Sequence, residues 1–171
     1  MMLLKILILF QALCLMLVDN SGEQQLTLHS ATQSTTLYYN GIGTSASNAF
    51  DGVTNGDFNQ GYCTHTAAGD LNPWWRAQLQ QKSAVSRVVV YPRTESRIYA
   101  IGGVMIYVDD QHCGTISYES GISFYTVQCS NKVGSTIKLS KSGEFLMLCE
   151  VKVFGYLPGL QLFRLGQVKL L

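Results

Sequence analysis

Phe145-Leu-Met-Leu-Cys-Glu-Val-Lys-Val-Phe154 reads as a β-strand. Period two places Phe145, Met147, Cys149, Val151 and Val153 on one face. The opposite face mixes Leu146 and Leu148 with Glu150, Lys152 and Phe154. Upstream runs repeat the pattern. Val85-Ser-Arg-Val-Val-Val-Tyr91 is β-branched and stops at Pro92, and Gly103-Val-Met-Ile-Tyr-Val108 runs into an Asp109-Asp110 turn. Phe124-Tyr-Thr-Val-Gln-Cys129 and Thr136-Ile-Lys-Leu139 are further strand candidates bounded by Gly, Ser or Asn. Many short strands with turn clusters between them, and almost no helical period, give an all-β sandwich or barrel.

Between the turn-rich N-terminal third and these strands lies Gly61-Tyr-Cys-Thr-His-Thr-Ala-Ala-Gly-Asp-Leu-Asn-Pro-Trp-Trp-Arg-Ala-Gln-Leu79. Its Cys63-Thr-His-Thr66 segment is polar and reads as a loop. Asn72-Pro73 marks a turn, because the residue before proline is pushed out of the helical region. Trp74 to Leu79 then starts a strand, with both tryptophans assigned to the core. A histidine and a cysteine in a loop tied to an aromatic strand make this the place to look for a binding site.

The chain has 171 residues, a one-domain length able to bury a real core. Its net charge of +1 offers no electrostatic case for a nucleic-acid partner. Residues 1–18 are apolar apart from Lys5 and are followed by the polar run Asp19-Asn-Ser-Gly-Glu-Gln-Gln25. The run is short for a membrane span of about 20 residues and reads as a cleaved secretory signal. Cleavage is expected near residues 18–24, giving a secreted, extracellular protein. Nothing later in the sequence is long and apolar enough to span a membrane.

Secretion changes what the cysteines mean. Cys14 leaves with the signal, and Cys63, Cys113, Cys129 and Cys149 remain. In an oxidising compartment four cysteines form two disulfides, with three connectivities open. Cys113 and Cys129 could close a local hairpin, a loop of about 15 residues worth about 3 kcal/mol in the chain-entropy model. Cys63 would then pair with Cys149. A zinc site built on Cys63 and His65 is the competing reading, but no second close pair of ligands exists.

Asn48-Ala-Phe-Asp-Gly-Val-Thr-Asn-Gly-Asp57 is rich in oxygen donors and glycine. Such a loop can wrap a hard cation such as calcium, although an ordinary Asx-turn loop has the same composition. Enzyme motifs are missing from the sequence: it has no Gly-x-Ser-x-Gly elbow, phosphate loop or His-Glu-x-x-His. His65 has Asp70 nearby but no identifiable nucleophile. His29 and His112 carry no readable signal.

Five segments, in order, resemble the F-type lectins, or fucolectins. They are Ala31-Thr-Gln-Ser34, Asn48-Ala-Phe-Asp-Gly52, Cys63-Thr-His-Thr66, Asn72-Pro-Trp-Trp-Arg76 and Leu148-Cys-Glu-Val-Lys-Val-Phe-Gly155. The resemblance covers residues 26–155 and implies a discoidin-like jelly-roll β-sandwich with bound calcium and a shallow site for L-fucose. Residues 156–171 lie beyond it, as a tail that could pack on the sandwich, assist oligomerisation or stay disordered. By position the implied calcium ligands are Asn48, Asp51, Val53, Tyr62, Cys149 and Glu150, several through main-chain carbonyls. Tyr62 stands where members often have serine.

The implied sugar site is a histidine, then Arg-x-Asp, then a further basic residue. His65 matches the histidine. Arg93 matches the first arginine, with one extra residue in the gap (within Ala67-Ala-Gly-Asp-Leu71), and Glu95 stands for the aspartate. Ala100 occupies the second basic position, so Arg97 is the nearest substitute. Ser96-Arg97 also replaces the adjacent cysteines that many members carry. Phe58 sits where the family packs an aromatic against the sugar methyl, and a core role suits it equally.

The resemblance implies a calcium-dependent lectin that recognises terminal L-fucose on glycans, serving innate recognition, with fucosylated glycans as partners. A homo-oligomer would add avidity at so shallow a site. The alternative is a degenerate F-type domain that keeps fold and calcium but has lost the sugar, acting as an adhesion or structural module.

Overall fold

The computed structural model describes residues 22–158. The proposed signal segment and most of the tail lie outside the described residues. Nine strands follow in order: β1 (Gln24–Leu26), β2 (Leu28–Gln33), β3 (Thr64–His65), β4 (Trp74–Tyr91), β5 (Met105–Val108), β6 (Gln111–Thr115), β7 (Tyr125–Ser140), β8 (Met147–Leu148) and β9 (Glu150–Tyr156). Three short 3-10 turns, Ala46–Ala49, Phe58–Gln60 and Ile98–Ile101, sit among the connecting loops.

The architecture hangs on β4. Its first half pairs antiparallel with β2 on one side and with the end of β7 on the other. Its second half pairs with β9 and with the start of β7. Register shifts between Gln78 and Ser83, and again between Val85 and Arg87, mark where the strand bends out of one layer into the next. β5 and β6 extend the first layer beyond β7, and β1 closes the second beyond β9. The result is the jelly-roll β-sandwich implied by the resemblance.

Burial follows the bends. Trp75, Ala77 and Leu79 point inward from the first half of β4, and Val85, Val88 and Val90 from the second. The step of three from Val85 to Val88 is the parity change imposed by the bulge. These side chains meet Ile106, Ile137, Leu139, Val151 and Val153 in one core cluster. The Trp75 indole is fully buried and donates to the Ala46 carbonyl at 2.8 Å, which satisfies its one polar atom.

Several sequence expectations change here. The segments 74–79 and 85–91 form one strand rather than two, and so do 124–129 and 136–139. The 145–154 run splits instead, because β8 pairs with β3 while β9 pairs with β4 and β1. Leu146 and Leu148 therefore enter the same core as Val151 and Val153, and the single alternating face does not hold. Trp74 is not a core residue. It lies half-buried on the outer face of its sheet, since a strand that buries Trp75 must turn its neighbour outward. β2 and β6 are strands that periodicity missed; both are polar and largely exposed.

Both disulfides form as expected, Cys63 with Cys149 and Cys113 with Cys129. Cys113 and Cys129 join β6 to β7. Cys63 and Cys149 join the residue before β3 to the residue between β8 and β9. The zinc alternative is closed, because Cys63 has no free thiolate.

Candidate functional site

Cys63-Thr-His-Thr66 is a short buried strand segment, not the solvated loop its polarity suggests. Thr64, His65 and Thr66 are all at most 4% exposed. Burial is tolerated because each polar group has a partner. The Thr64 hydroxyl donates to the Gln33 side-chain oxygen, the Thr66 hydroxyl accepts from the Leu146 amide at 3.0 Å, and the His65 amide donates to the Thr44 carbonyl. The β3–β8 ladder then sets His65 opposite Met147.

Around His65 the chain builds an aromatic cup. Phe58 meets the imidazole edge-to-face at 5.4 Å and Phe145 meets it at 5.7 Å. Phe58 is carried by a 3-10 turn that Asp57 caps by accepting from the Asn59 amide. Gly61 closes that turn in the left-handed region, φ 82°, where glycine carries no steric penalty. Phe58 is buried against the Cys63–Cys149 disulfide, so the core role and the site role coincide. Phe145 has a positive φ of 67°, as does Arg97 at 50°. Such backbone costs about 1–3 kcal/mol per residue and clusters at functional sites.

Two guanidinium groups cover the cup. Arg93 follows the end of β4, and its Cζ lies 4.2 Å from the Phe58 ring centroid. Arg97 opens the Ile98–Ile101 turn, and its Cζ lies 4.6 Å from the centroid of Phe145. Glu95 fixes the arrangement: one carboxylate oxygen accepts from Arg93 Nε at 2.7 Å and from the Phe58 amide at 3.2 Å. Gly56 has to be glycine here. A Cβ would come within 2.8 Å of the Pro92 carbonyl and the Thr94 side chain, breaking the approach of the Phe58 loop to the arginine loop.

The structure thus brings His65, Arg93 and Arg97 together, with Phe58 between the first two and Phe145 under the third. Ala100 is buried in the turn that Arg97 begins, and its carbonyl accepts from Lys141 Nζ at 2.7 Å. Arg97 is therefore the second cation of this end. Asp70 is no partner of His65, since its carboxylate accepts from the Ser34 and Thr35 hydroxyls at 2.5 and 2.7 Å.

Burial holds His65 below the usual imidazole pKa, and the charges of Arg93 and Arg97 push it the same way, against a raising contribution from the Thr66 carbonyl. Nδ1 sits 2.6 Å from that carbonyl, which can only accept, so Nδ1 carries the proton and Nε2 keeps a lone pair. One acceptor, two fork-shaped donors and the half-buried Phe145 ring suit a neutral polyol with an apolar patch. They contain no nucleophile. Phe145 and Met147, whose sulfur lies 3.8 Å from Arg93, belong to this end although sequence reading placed them in a strand face. Only the β3–β8 pairing reveals it.

The six residues read as cation ligands come from the 48–53 segment, from Tyr62 beside Cys63, and from Cys149 and Glu150 at the start of β9. The Asn48 side-chain amide donates to the carbonyls of Gly61 and Cys63 at 2.8 and 3.4 Å, which ties its turn to the Tyr62 segment. Asp51 and Glu150 are neighbours. Glu150 is 3% exposed, and the Gly52 amide donates to it at 3.2 Å. Burial raises the Glu150 carboxyl above the usual range, and the nearby Asp51 charge adds to the rise. Neither carboxylate belongs to either ion pair among the described residues. Two adjacent carboxylates outside any ion pair, one of them buried and with Lys152 only partly offsetting its charge, fit a hard divalent ion. Cys149 is in a disulfide and Val53 has no polar side chain, so each could offer only its main-chain oxygen. No cluster of three His, Cys, Asp or Glu exists among the described residues, so such a site would depend on carbonyls.

Comparison with known proteins adds the following. A family model described as a NedA-like, galactose-binding domain matches residues 48–139. Fucolectin-6 of Anguilla japonica is 35% identical over 122 residues, covering 66% of this chain and 64% of that protein. The chain thus spans a little under two thirds of that relative's length. A fucolectin from striped bass (Morone saxatilis) serum superposes with a TM-score of 0.68 at 27% identity, covering 80% of this chain and 50% of the other. A fucose-binding module of Streptococcus pneumoniae gives 0.67 at 28% identity, covering 80% and 99%.

Proposed function

The chain belongs to the F-type lectin family, a carbohydrate-binding and non-enzymatic one, and from that premise we propose a secreted, calcium-dependent lectin for terminal L-fucose. The observation that carries this reading is the convergence of His65, Arg93 and Arg97 on Phe58 and Phe145. His65 Nε2 accepts from one sugar hydroxyl. Arg93, oriented by Glu95, donates to ring and hydroxyl oxygens, and Arg97 supplies the second fork from a loop position ahead of the family's basic residue. Phe145 takes the apolar side of the sugar, including its methyl group, while the buried Phe58 supports His65 and Arg93 from beneath.

Calcium, when bound, would neutralise Asp51 and Glu150 and hold the 48–53 loop against Tyr62 and Cys149. The Cys63–Cys149 bridge supports this by linking both halves of that set and the base of the sugar end. The apolar composition of residues 1–18 and the two disulfides support secretion and a role in recognising fucosylated surfaces outside cells, including innate recognition.

Calorimetric titration with L-fucose, in calcium and then in chelator, tests the proposal. Saturable binding that is lost in His65→Ala and weakened by chelation is expected. Absence of heat at millimolar fucose, with calcium still raising the melting temperature, would leave a scaffold domain that has lost its sugar. The burial of Ala100 at the second basic position is what would favour that outcome.

A further inference from the structure

The outer face of the first layer carries a groove unrelated to the loop end. Its volume is about 380 Å³, and it is lined by Trp74, Arg76, Asp109, Asp110, Thr136 and Lys138. The residues come from β4, β7 and the turn after β5, so the platform is rigid sheet rather than loop.

Its charge arrangement is unusual. Arg76 and Lys138 are direct cross-strand partners, and like charges facing each other across a ladder repel. Two carboxylates line the same groove, yet neither cation belongs to an ion pair among the described residues. Asp109 is already committed: its Oδ1 accepts from the Ser135 and Thr136 amides at 3.1 and 2.9 Å. Asp110 is exposed at the turn. Trp74 flanks the pair, with the Arg76 Cζ 5.7 Å from its ring centroid. The fold therefore presents two adjacent cations, neither in an ion pair among the described residues, beside an aromatic face, and an anion bridging them would offset their repulsion.

We propose that this groove is a second glycan site, taking a pyranose that bears one sulfate or carboxylate group. The anion bridges the Arg76 guanidinium and the Lys138 ammonium. The apolar face of the ring stacks on Trp74, and the free hydroxyls reach Thr136 and Asp110. The volume admits one or two sugar rings, and the open geometry suits an internal residue of a chain as well as an end. This site shares no residue with the fucose reading and stands or falls apart from it.

The test is two-dimensional NMR of the isotopically labelled chain titrated with four probes: an O-sulfated methyl galactoside, methyl galacturonide, uncharged methyl galactoside and inorganic sulfate. Saturating shifts at the Trp74 indole and the Arg76 side chain are expected with at least one acidic sugar, while the His65 ring signals stay fixed. Which of the two acids binds assigns the anion. Binding should weaken about tenfold or more in Arg76→Gln with Lys138→Gln, fade with added salt, and also weaken in Trp74→Ala. Equal saturation by the uncharged glycoside would overturn the charge assignment, and equal binding of inorganic sulfate would overturn the sugar. No shift with either acid, or shifts centred on His65 and Phe145, would remove the site. Mapping on the unaltered chain decides the matter even if the double variant folds poorly, and Arg76→Gln alone then serves as the variant.

Discussion

The two sides of the Cys63–Cys149 bridge solve opposite electrostatic problems. On the histidine side the chain gathers cations and completes the arrangement itself: Arg93 is paired with Glu95 and lies on Phe58, while Arg97 lies on Phe145. On the other side it gathers the carboxylates of Asp51 and Glu150 and gives them backbone amides but, among the described residues, no ion pair, with Lys152 acting on Glu150 only at longer range. One region is preorganised, so a neutral ligand can add hydrogen bonds without rearrangement. The other holds a buried carboxylate, Glu150, beside the exposed Asp51, a like-charge contact that costs stability until something positive arrives. Binding strength at the sugar end and folding stability at the acidic end should therefore respond to different reagents.

The largest effect should come from removing what the two sides share. Replacing Cys63 and Cys149 together with alanine should cost about 2–5 kcal/mol, read by urea unfolding. The Cys113–Cys129 pair, separated by 16 residues rather than 86, should cost less. Equal losses would show that loop closure is not what separates the bridges.

Calcium sharpens the contrast next. At a free concentration a hundredfold above its dissociation constant it should add about 2.7 kcal/mol. Glu150→Gln should abolish that gain yet raise the stability of the calcium-free protein, because it removes a buried charge. A calcium-dependent melting temperature that survives the substitution would put the ion elsewhere.

Arg97→Ala should weaken L-fucose binding about ten- to a hundredfold, the worth of one charge-assisted hydrogen bond, while leaving the calcium effect intact. Unchanged affinity would mean that the cation over Phe145 does not face the sugar.

The smallest effect is on pH. His65 titrates below its ordinary value when folded. The unfolded chain therefore binds more protons between the two pKa values, and stability rises with pH through that window. Acidification from neutrality through the ordinary histidine range should lower the melting temperature, and His65→Gln should flatten the slope. Fucose affinity should fall in the same direction once Nε2 is protonated. A slope unaltered in His65→Gln would assign the titration to another group.

Much of the fold was legible because the β-branched and apolar runs at 85–91 and 103–108 are local signals, whereas the alternation read over 145–154 broke where β8 gives way to β9. Strand continuity was not. A bulge between Val85 and Arg87 changes parity without changing composition, so one bent strand reads as two. The polarity of Thr64-His65-Thr66 argued for solvent, whereas the partners that allow its burial, Gln33, Thr44 and Leu146, lie far away in sequence. Cysteine pairing, and the grouping of His65 with Arg93, could be anticipated from motif order. Phe145 as the ring beneath Arg97 could not, since it depends on the register of a two-residue ladder. Trp74 and Trp75 look alike in composition, and only the strand's orientation separates a core anchor from a surface platform.

The unbroken course of β4 has a dynamic consequence. From Trp74 to Tyr91 it is flanked by other strands on both sides along most of its length, by β2 and β7 and then by β9 and β7. The doubly paired amides of its two halves, 75–78 and 87–90, become accessible to solvent only when the strands beside them come apart, so they should exchange hydrogen at the rate of global opening rather than by local fraying. One chain segment running through both layers couples their stabilities. A ligand held at either end of the sandwich should therefore slow exchange in both paired halves of the strand, and the molecule would report occupancy of one end at the other without any change of shape.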